Sequence, residues 1–250
     1  MKKFLFTLLA ALSFHSAWAC TNLIVGKKAS ADGSVMCSYN CDGFGFPGSL
    51  SCYPAGRHAE GELIAIHGWG PPREGQYVKQ VPYTYNVVGL MNERQVTIVE
   101  TTFDGRLELV NRDGMLDYFS LMRLALQRSS TAREAIKCMA ELVEEYGYNS
   151  SGETITICDP NEAWIMEIVG KGQGRKGAVW VALRVPDDCI CAHANLSRIR
   201  QFPQEKGRSI NSKQLNKIND PKVECVYAFD VISFAREKGF FNGKDEVQLS

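Results

Sequence analysis

Two changes of hydrophobic period divide this chain and restrict how it can fold. Up to about residue 101 the apolar stretches are short, rich in β-branched residues and broken by glycine and proline. In 131–146 the pattern turns helical: Ala132, Ala135, Ile136, Met139, Leu142, Val143 and Tyr146 recur at three and four, with Ser130 or Thr131 placed to cap the start. Residues 115–128 read as a second, less sharply patterned helix just before it. Strand-like runs return at 153–158, 163–169, 178–185 and 189–192. Strands, two consecutive helices and strands again predict an α+β fold, antiparallel sheet covered by helices, rather than an alternating βαβ chain around a parallel sheet.

Nearer the start, strands are expected at 21–26 and 34–39, joined by a turn in which Gly33 supplies the permissive backbone. A hairpin follows at 85–90 and 95–101, turning at Met91, Asn92, Glu93 and Arg94. Between them, 44–83 is dense in glycine and proline and reads as a long ordered loop around one short strand near 63–66, the kind of segment that lines a site. A last helix is expected near 227–238. Gly172, Gly174 and Gly177 carry the spacing of a dinucleotide-binding loop, but 178–181 reads as strand where that loop needs a helix, so the glycines are assigned to a simple β-turn.

The first 19 residues have the organisation of a signal peptide: Lys2 and Lys3, an apolar run over 4–14, then small Ala17 and Ala19 around Trp18. At about 11 residues the run is well short of the roughly 20 that span a bilayer. Cleavage there exports the protein to the periplasm or exterior and starts the mature domain, 20–250, at Cys20. An N-terminal cysteine carries a thiol nucleophile and an α-amine on one residue, so nucleophile and general base arrive together. About 10 to 17% of such an amine is free base at pH 7.

Composition removes other classes. Lys plus Arg and Asp plus Glu number 28 each, leaving no basic field for nucleic acid or an anionic membrane. Nine cysteines all fall in the mature chain; without Cys20 an even number remains, yet several lie in apolar strand-like runs and are read as mostly free thiols. The spacings Cys37-x3-Cys41 and Cys189-x-Cys191 lack a second half of a zinc site, and no metal is expected.

Cys20-Thr21-Asn22, Asp32-Gly33-Ser34, Asn40-x-Asp42, Gly89-x-Met91-Asn92-Glu93, Gly152-Glu153-Thr154, Trp164-x-Met166-Glu167, Trp180-Val181-Ala182 and Ala192-His193-Ala194-Asn195 occur in this order. Together they resemble the cysteine dipeptidase family of N-terminal-nucleophile (Ntn) hydrolases, related to choloylglycine hydrolases and penicillin V acylases. The resemblance runs from Cys20 to about Arg200. It implies a four-layer αββα sandwich of antiparallel sheets, no cofactor or metal, small peptides with a free N-terminus as substrates, and hydrolysis through a Cys20 thioester. It also implies a longer chain, so that 20–250 is expected to lack C-terminal elements.

By the same resemblance Asp42 holds the Cys20 amine and thiol in position, Asn92 is an oxyanion donor and Asn195 a second polar group of the site. Asn92 also has an ordinary turn role and Asp42 an ordinary place beside Gly43. Tyr39 departs from the pattern: relatives usually have arginine there, and tyrosine donates a hydrogen bond without a fixed positive charge. His193 is expected beside Asn195 as a hydrogen-bonded core residue, not a base; His15 lies in the leader, and His58 and His67 in the loop-rich stretch. Two rival readings are an acyl-amide hydrolase of the choloylglycine or penicillin acylase type, and a binding lipoprotein acylated on Cys20, the one case in which a membrane becomes a partner. Ala17, where a lipidation signal usually has leucine, and bulky Trp18 weigh against the second.

Overall fold

The computed structural model describes residues 20–42, 49–68 and 74–242. The leader 1–19 and part of the glycine-rich stretch fall outside these residues. In chain order the strands are β1 (Thr21–Val25), β2 (Met36–Asn40), β3 (Cys52–Tyr53), β4 (Gly56–Arg57), β5 (Leu63–Ala65), β6 (Tyr77–Lys79), β7 (Tyr83–Thr84), β8 (Val87–Val88), β9 (Met91–Asn92) and β10 (Thr97–Asp104). Helices α1 (Tyr118–Arg128) and α2 (Ala132–Tyr146) follow, then β11 (Gly152–Cys158), β12 (Ala163–Gly170), β13 (Ala178–Val185), β14 (Ile190–His193), β15 (Ser209–Asn211), β16 (Cys225–Tyr227) and α3 (Val231–Glu237).

A nine-stranded sheet ordered β15-β16-β13-β12-β11-β10-β9-β8-β3 forms the frame. Its pairs are antiparallel except β15–β16, so it is mixed at one end. Every residue of β11 is buried. Because side chains alternate along a strand, Thr154, Thr156 and Cys158 line one face and Ile155 and Ile157 the other, and both faces are therefore covered. Helices α1 and α2 pack on each other and against β10 to β13. The second covering layer is a three-stranded antiparallel sheet ordered β14-β1-β2, whose Asn22 and His193 both reach Thr156.

Local chemistry fixes the helix starts. Asp117 accepts from the backbone N–H of Ser120 at 2.7 Å, and Thr131 from that of Glu134 at 3.1 Å, so each helix has a side-chain cap for one of its orphan donors. Glu134 reaches back to accept from the Ser130 N–H and hydroxyl at 2.8 and 2.7 Å. Glu162 ties elements together: it takes Arg133 of α2 at 2.6 Å and Arg184 of β13 at 2.9 Å, while Arg133 also donates to the carbonyls of Ile218 and Asp220.

Several expectations shift. The hairpin's return strand is β10 as expected, but Met91 and Asn92 lie in a strand, and the outgoing strand is reduced to β8. Gly89, at φ 59°, turns the chain there, and the reversal falls at Gln95, at φ 63°. The last helix starts at Val231; Tyr227 pairs with Val181 as sheet. The 172–177 glycines connect antiparallel β12 and β13, with positive φ at all three.

Candidate active site

Strand register determines what surrounds Cys20. β1 is the middle strand, with Asn22 opposite His193 on one side and Thr21 opposite Asn40 on the other. Carried past the last ladder pairs, the same registers set Cys20 opposite Asn195 and opposite Cys41. Three segments distant in sequence thus bring Cys20, Asn195, Cys41 and the neighbouring Asp42 to one end of one small sheet.

The Cys20 thiol is half-buried, with its sulfur 4.0 Å from the Cys41 sulfur. Burial pushes it up to about 11; the backbone N–H of Asp42 works the other way, and the Glu100 carboxylate and Cys41 add to the rise. At neutral pH the group is therefore a thiol that needs a base. Asp42 is exposed, and its Oδ1 accepts from Asn40 Nδ2 at 2.8 Å.

Tyr39 lies on the neighbouring strand, directly opposite Asn22, and donates its hydroxyl to Glu100 Oε1 at 2.7 Å. Burial, then the Glu100 charge, drive its phenol far above the ordinary range, so the hydroxyl keeps its proton. Behind it stands Glu153, fully buried. Burial first, then the charge and hydrogen bond of Glu100, push its carboxyl up to about 10, against the opposing hydrogen bond from Thr102. The Oε2 atoms of Glu100 and Glu153 are both buried with no donor facing them among the described residues. The raised Glu153 carboxyl keeps its proton, and that proton is available to bond Glu100.

Asn195 donates from Nδ2 to the Thr102 carbonyl at 2.5 Å, and among the described residues its second amide hydrogen is uncommitted and its Oδ1 is buried without a partner. The register of β10 against β11 shifts between Thr102 and Asp104, so backbone groups beside Asn195 are released from the ladder. His193 sits between Thr101 at Nδ1, 2.7 Å, and Thr156 at Nε2, 2.6 Å, with Asn22 Nδ2 3.2 Å from Nε2. Burial, then Arg198, lower it to about 4, so the imidazole is neutral and structural.

Asn92, expected as an oxyanion donor, does not join this group. Both its amide hydrogens are donated, to the carbonyls of Leu126 and Ser129 at 2.7 and 2.8 Å, and its Oδ1 accepts from the backbone N–H groups of Arg94 and Val96. It pins the β9 turn to the end of α1 and has no hydrogen left to give. Cys41, Glu100, Thr102 and Glu153 are the site neighbours that the sequence reading missed. The available signal was the run Glu100-Thr101-Thr102 inside an otherwise apolar strand, where buried polar groups require partners.

Beside Asn195 and Thr102, their sequence neighbours Leu196 and Phe103 line a cavity of about 420 Å³, walled further by Leu109, Val169, Val179 and Phe234. It is largely apolar, with Arg106 at its edge.

A model of "Peptidase family C69" matches residues 19–50 and 73–248. The chain is also similar to a "Probable dipeptidase" of Latilactobacillus sakei, 30% identical over 192 residues, covering 71% of this chain and 39% of that one. A "Probable dipeptidase" of Salmonella dublin is 25% identical over 260 residues, covering 97% and 54%. A "Dipeptidase" of Bifidobacterium longum is 26% identical over 225 residues, covering 75% and 39%. The chain spans 39 to 54% of the length of these relatives.

Proposed function

The chain belongs to peptidase family C69, and on that premise we propose that it hydrolyses peptide bonds of small peptides with Cys20 as nucleophile. The observation that carries this is the placement of Cys20 at the head of β1, between Asn195 and the Cys41–Asp42 pair. Removal of residues 1–19 during export frees the α-amine. That amine takes the thiol proton, and the ammonium so formed, beside the sulfur, lowers the thiol from its high value. Asp42, exposed and adjacent, accepts from the ammonium.

The thiolate attacks the substrate carbonyl, and the uncommitted amide hydrogen of Asn195 donates to the resulting oxyanion. Collapse breaks the C–N bond, the ammonium returns its proton to the leaving nitrogen, and water hydrolyses the thioester. The apolar cavity beside Asn195 supports substrates with an apolar side chain. The two facing sheets with α1 and α2 on one side are read as three of the four layers of an Ntn-hydrolase sandwich.

Protein from an exporting host is expected to have the mass of a chain beginning at unmodified Cys20 and to cleave apolar dipeptides, with hydrolysis abolished in Cys20→Ala. Retained hydrolysis in that variant refutes the mechanism. A diacylglycerol mass increment without activity makes the protein a tethered binding module instead.

A further inference from the structure

Cys41 is unassigned by the hydrolytic mechanism, yet its sulfur stands 4.0 Å from that of the nucleophile. The two residues face each other across neighbouring antiparallel strands, one position beyond the Thr21–Asn40 pair. Opposed antiparallel residues have Cα atoms about 4.5–5.5 Å apart, inside the roughly 4.4–6.8 Å span of disulfides. Closing the sulfurs to about 2.05 Å therefore asks for side-chain rotation and little backbone movement. Cys41 is exposed and Cys20 half-buried, so oxidants reach both.

A second thiol pair gives the comparison. Cys37 of β2 and Cys158 of β11 hydrogen-bond across the space between the two sheets, and that contact holds the Cys37 thiol below its usual value against the effect of burial. Cys158 is 5% exposed. Cys37 is half-buried like Cys20, so this pair differs in having one thiol enclosed where the first pair has one exposed.

We propose that Cys41 is a resolving thiol, and that Cys20 and Cys41 form a reversible oxidative modification site acted on by peroxides and by dithiol reductants. A thiolate attacks one peroxide oxygen; the O–O bond breaks, the leaving oxygen departs as water after protonation, and the attacking sulfur, now bonded to the first oxygen, becomes a sulfenic acid. The facing thiolate attacks that sulfur, the S–O bond breaks, a second water leaves and the disulfide forms. Two thiols and one peroxide thus give one disulfide and two waters, in whichever order the sulfurs react. A dithiol returns both thiols by exchange. The cross-link occupies the nucleophile and shields it from irreversible oxidation to the sulfinic acid. Because it needs only the two thiols, its test stands whether or not the chain hydrolyses peptides.

The test is a hydrogen peroxide titration followed by intact mass and disulfide mapping, on wild type and Cys41→Ser. Wild type is expected to become about 2 Da lighter, with Cys20 linked to Cys41, and to regain both thiols in dithiothreitol. Cys41→Ser is expected to gain about 32 Da at Cys20 that dithiothreitol does not remove. The proposal is overturned if wild type carries sulfinic acid at Cys20 without the link, if the link joins Cys37 to Cys158 instead, or if Cys20 is regained equally in the variant. Should Cys41→Ser fail to fold, the wild-type map decides alone.

Discussion

Asn195 and Asn92 are the same residue type in opposite circumstances, and the number of free amide hydrogens distinguishes them. With one hydrogen unspent, Asn195→Ala is expected to lower kcat by about 10²–10³ with little change in KM. Asn92→Ala leaves the Leu126 and Ser129 carbonyls without their donor. It is expected to cost stability, seen as a lower urea midpoint, by roughly 1–3 kcal/mol per group left unsatisfied. Cys20 provides a third prediction. In a chain still carrying its leader, alkylation by iodoacetamide should rise with a midpoint near pH 11. In a chain that begins at Cys20 the midpoint should fall, because the ammonium favours the thiolate; an unchanged midpoint would count against the amine as base. Cys20 was singled out in the sequence by its position directly after residues 1–19, a signal that needs no tertiary contact. Cys41 and Glu153 were not, since their importance comes from cross-strand register and from a partner about fifty residues away. Asn92 was read as a turn residue but ends β9 just before the reversal, and its hydrogen-bond saturation is visible only in three dimensions.

At the scale of elements, α2 was read almost to the residue because helical period and cap agree; the structure adds Gly147, at φ 78°, at its C-terminal end. Strands β3 to β9 were largely illegible: they are two or three residues long, too short for a period to declare itself. The link between α2, β12 and β13 was also hidden, as it depends on Glu162 serving two arginines at once. Burial acts to raise its carboxyl, yet Arg133 and Arg184 outweigh this and hold it below the usual range. Glu162→Ala takes the shared carboxylate from two largely buried guanidinium groups, at 11% and 18% side-chain exposure, leaving Arg133 its two carbonyl acceptors and Arg184 the Asp187 carboxylate. A loss of about 3 kcal/mol in urea unfolding is expected, whereas an exposed pair such as Lys79–Glu145 should give under about 1 kcal/mol.

For the whole molecule, two buried groups set opposing pH slopes. Glu153 is raised to about 10 in the folded state from 4.5, so between those values the folded chain binds the extra proton and stability falls as pH rises. His193 is lowered to about 4 from 6.5, so between those values the unfolded chain binds the extra proton and stability falls as pH drops. These two slopes cancel between 4.5 and 6.5, and of the two only that of Glu153 remains above. Wild type should lose up to about 1.4 kcal/mol per pH unit between pH 7 and 9, with Glu100 and Asp104 the neighbouring carboxylates. Glu153→Gln, which can still donate to Glu100, should flatten that dependence. A profile unchanged in the variant would assign the slope to other groups.

The partner strands of β1 also impose a timetable. The β1–β2 ladder closes within the first 40 residues, but Asn22 and His193 are 171 positions apart. At about 5–20 residues per second of synthesis, β1 waits roughly 10–30 s with one edge open before its second neighbour is made. The Cys20 thiol is therefore made well before Asn195, which comes to stand opposite it only once β14 has joined β1.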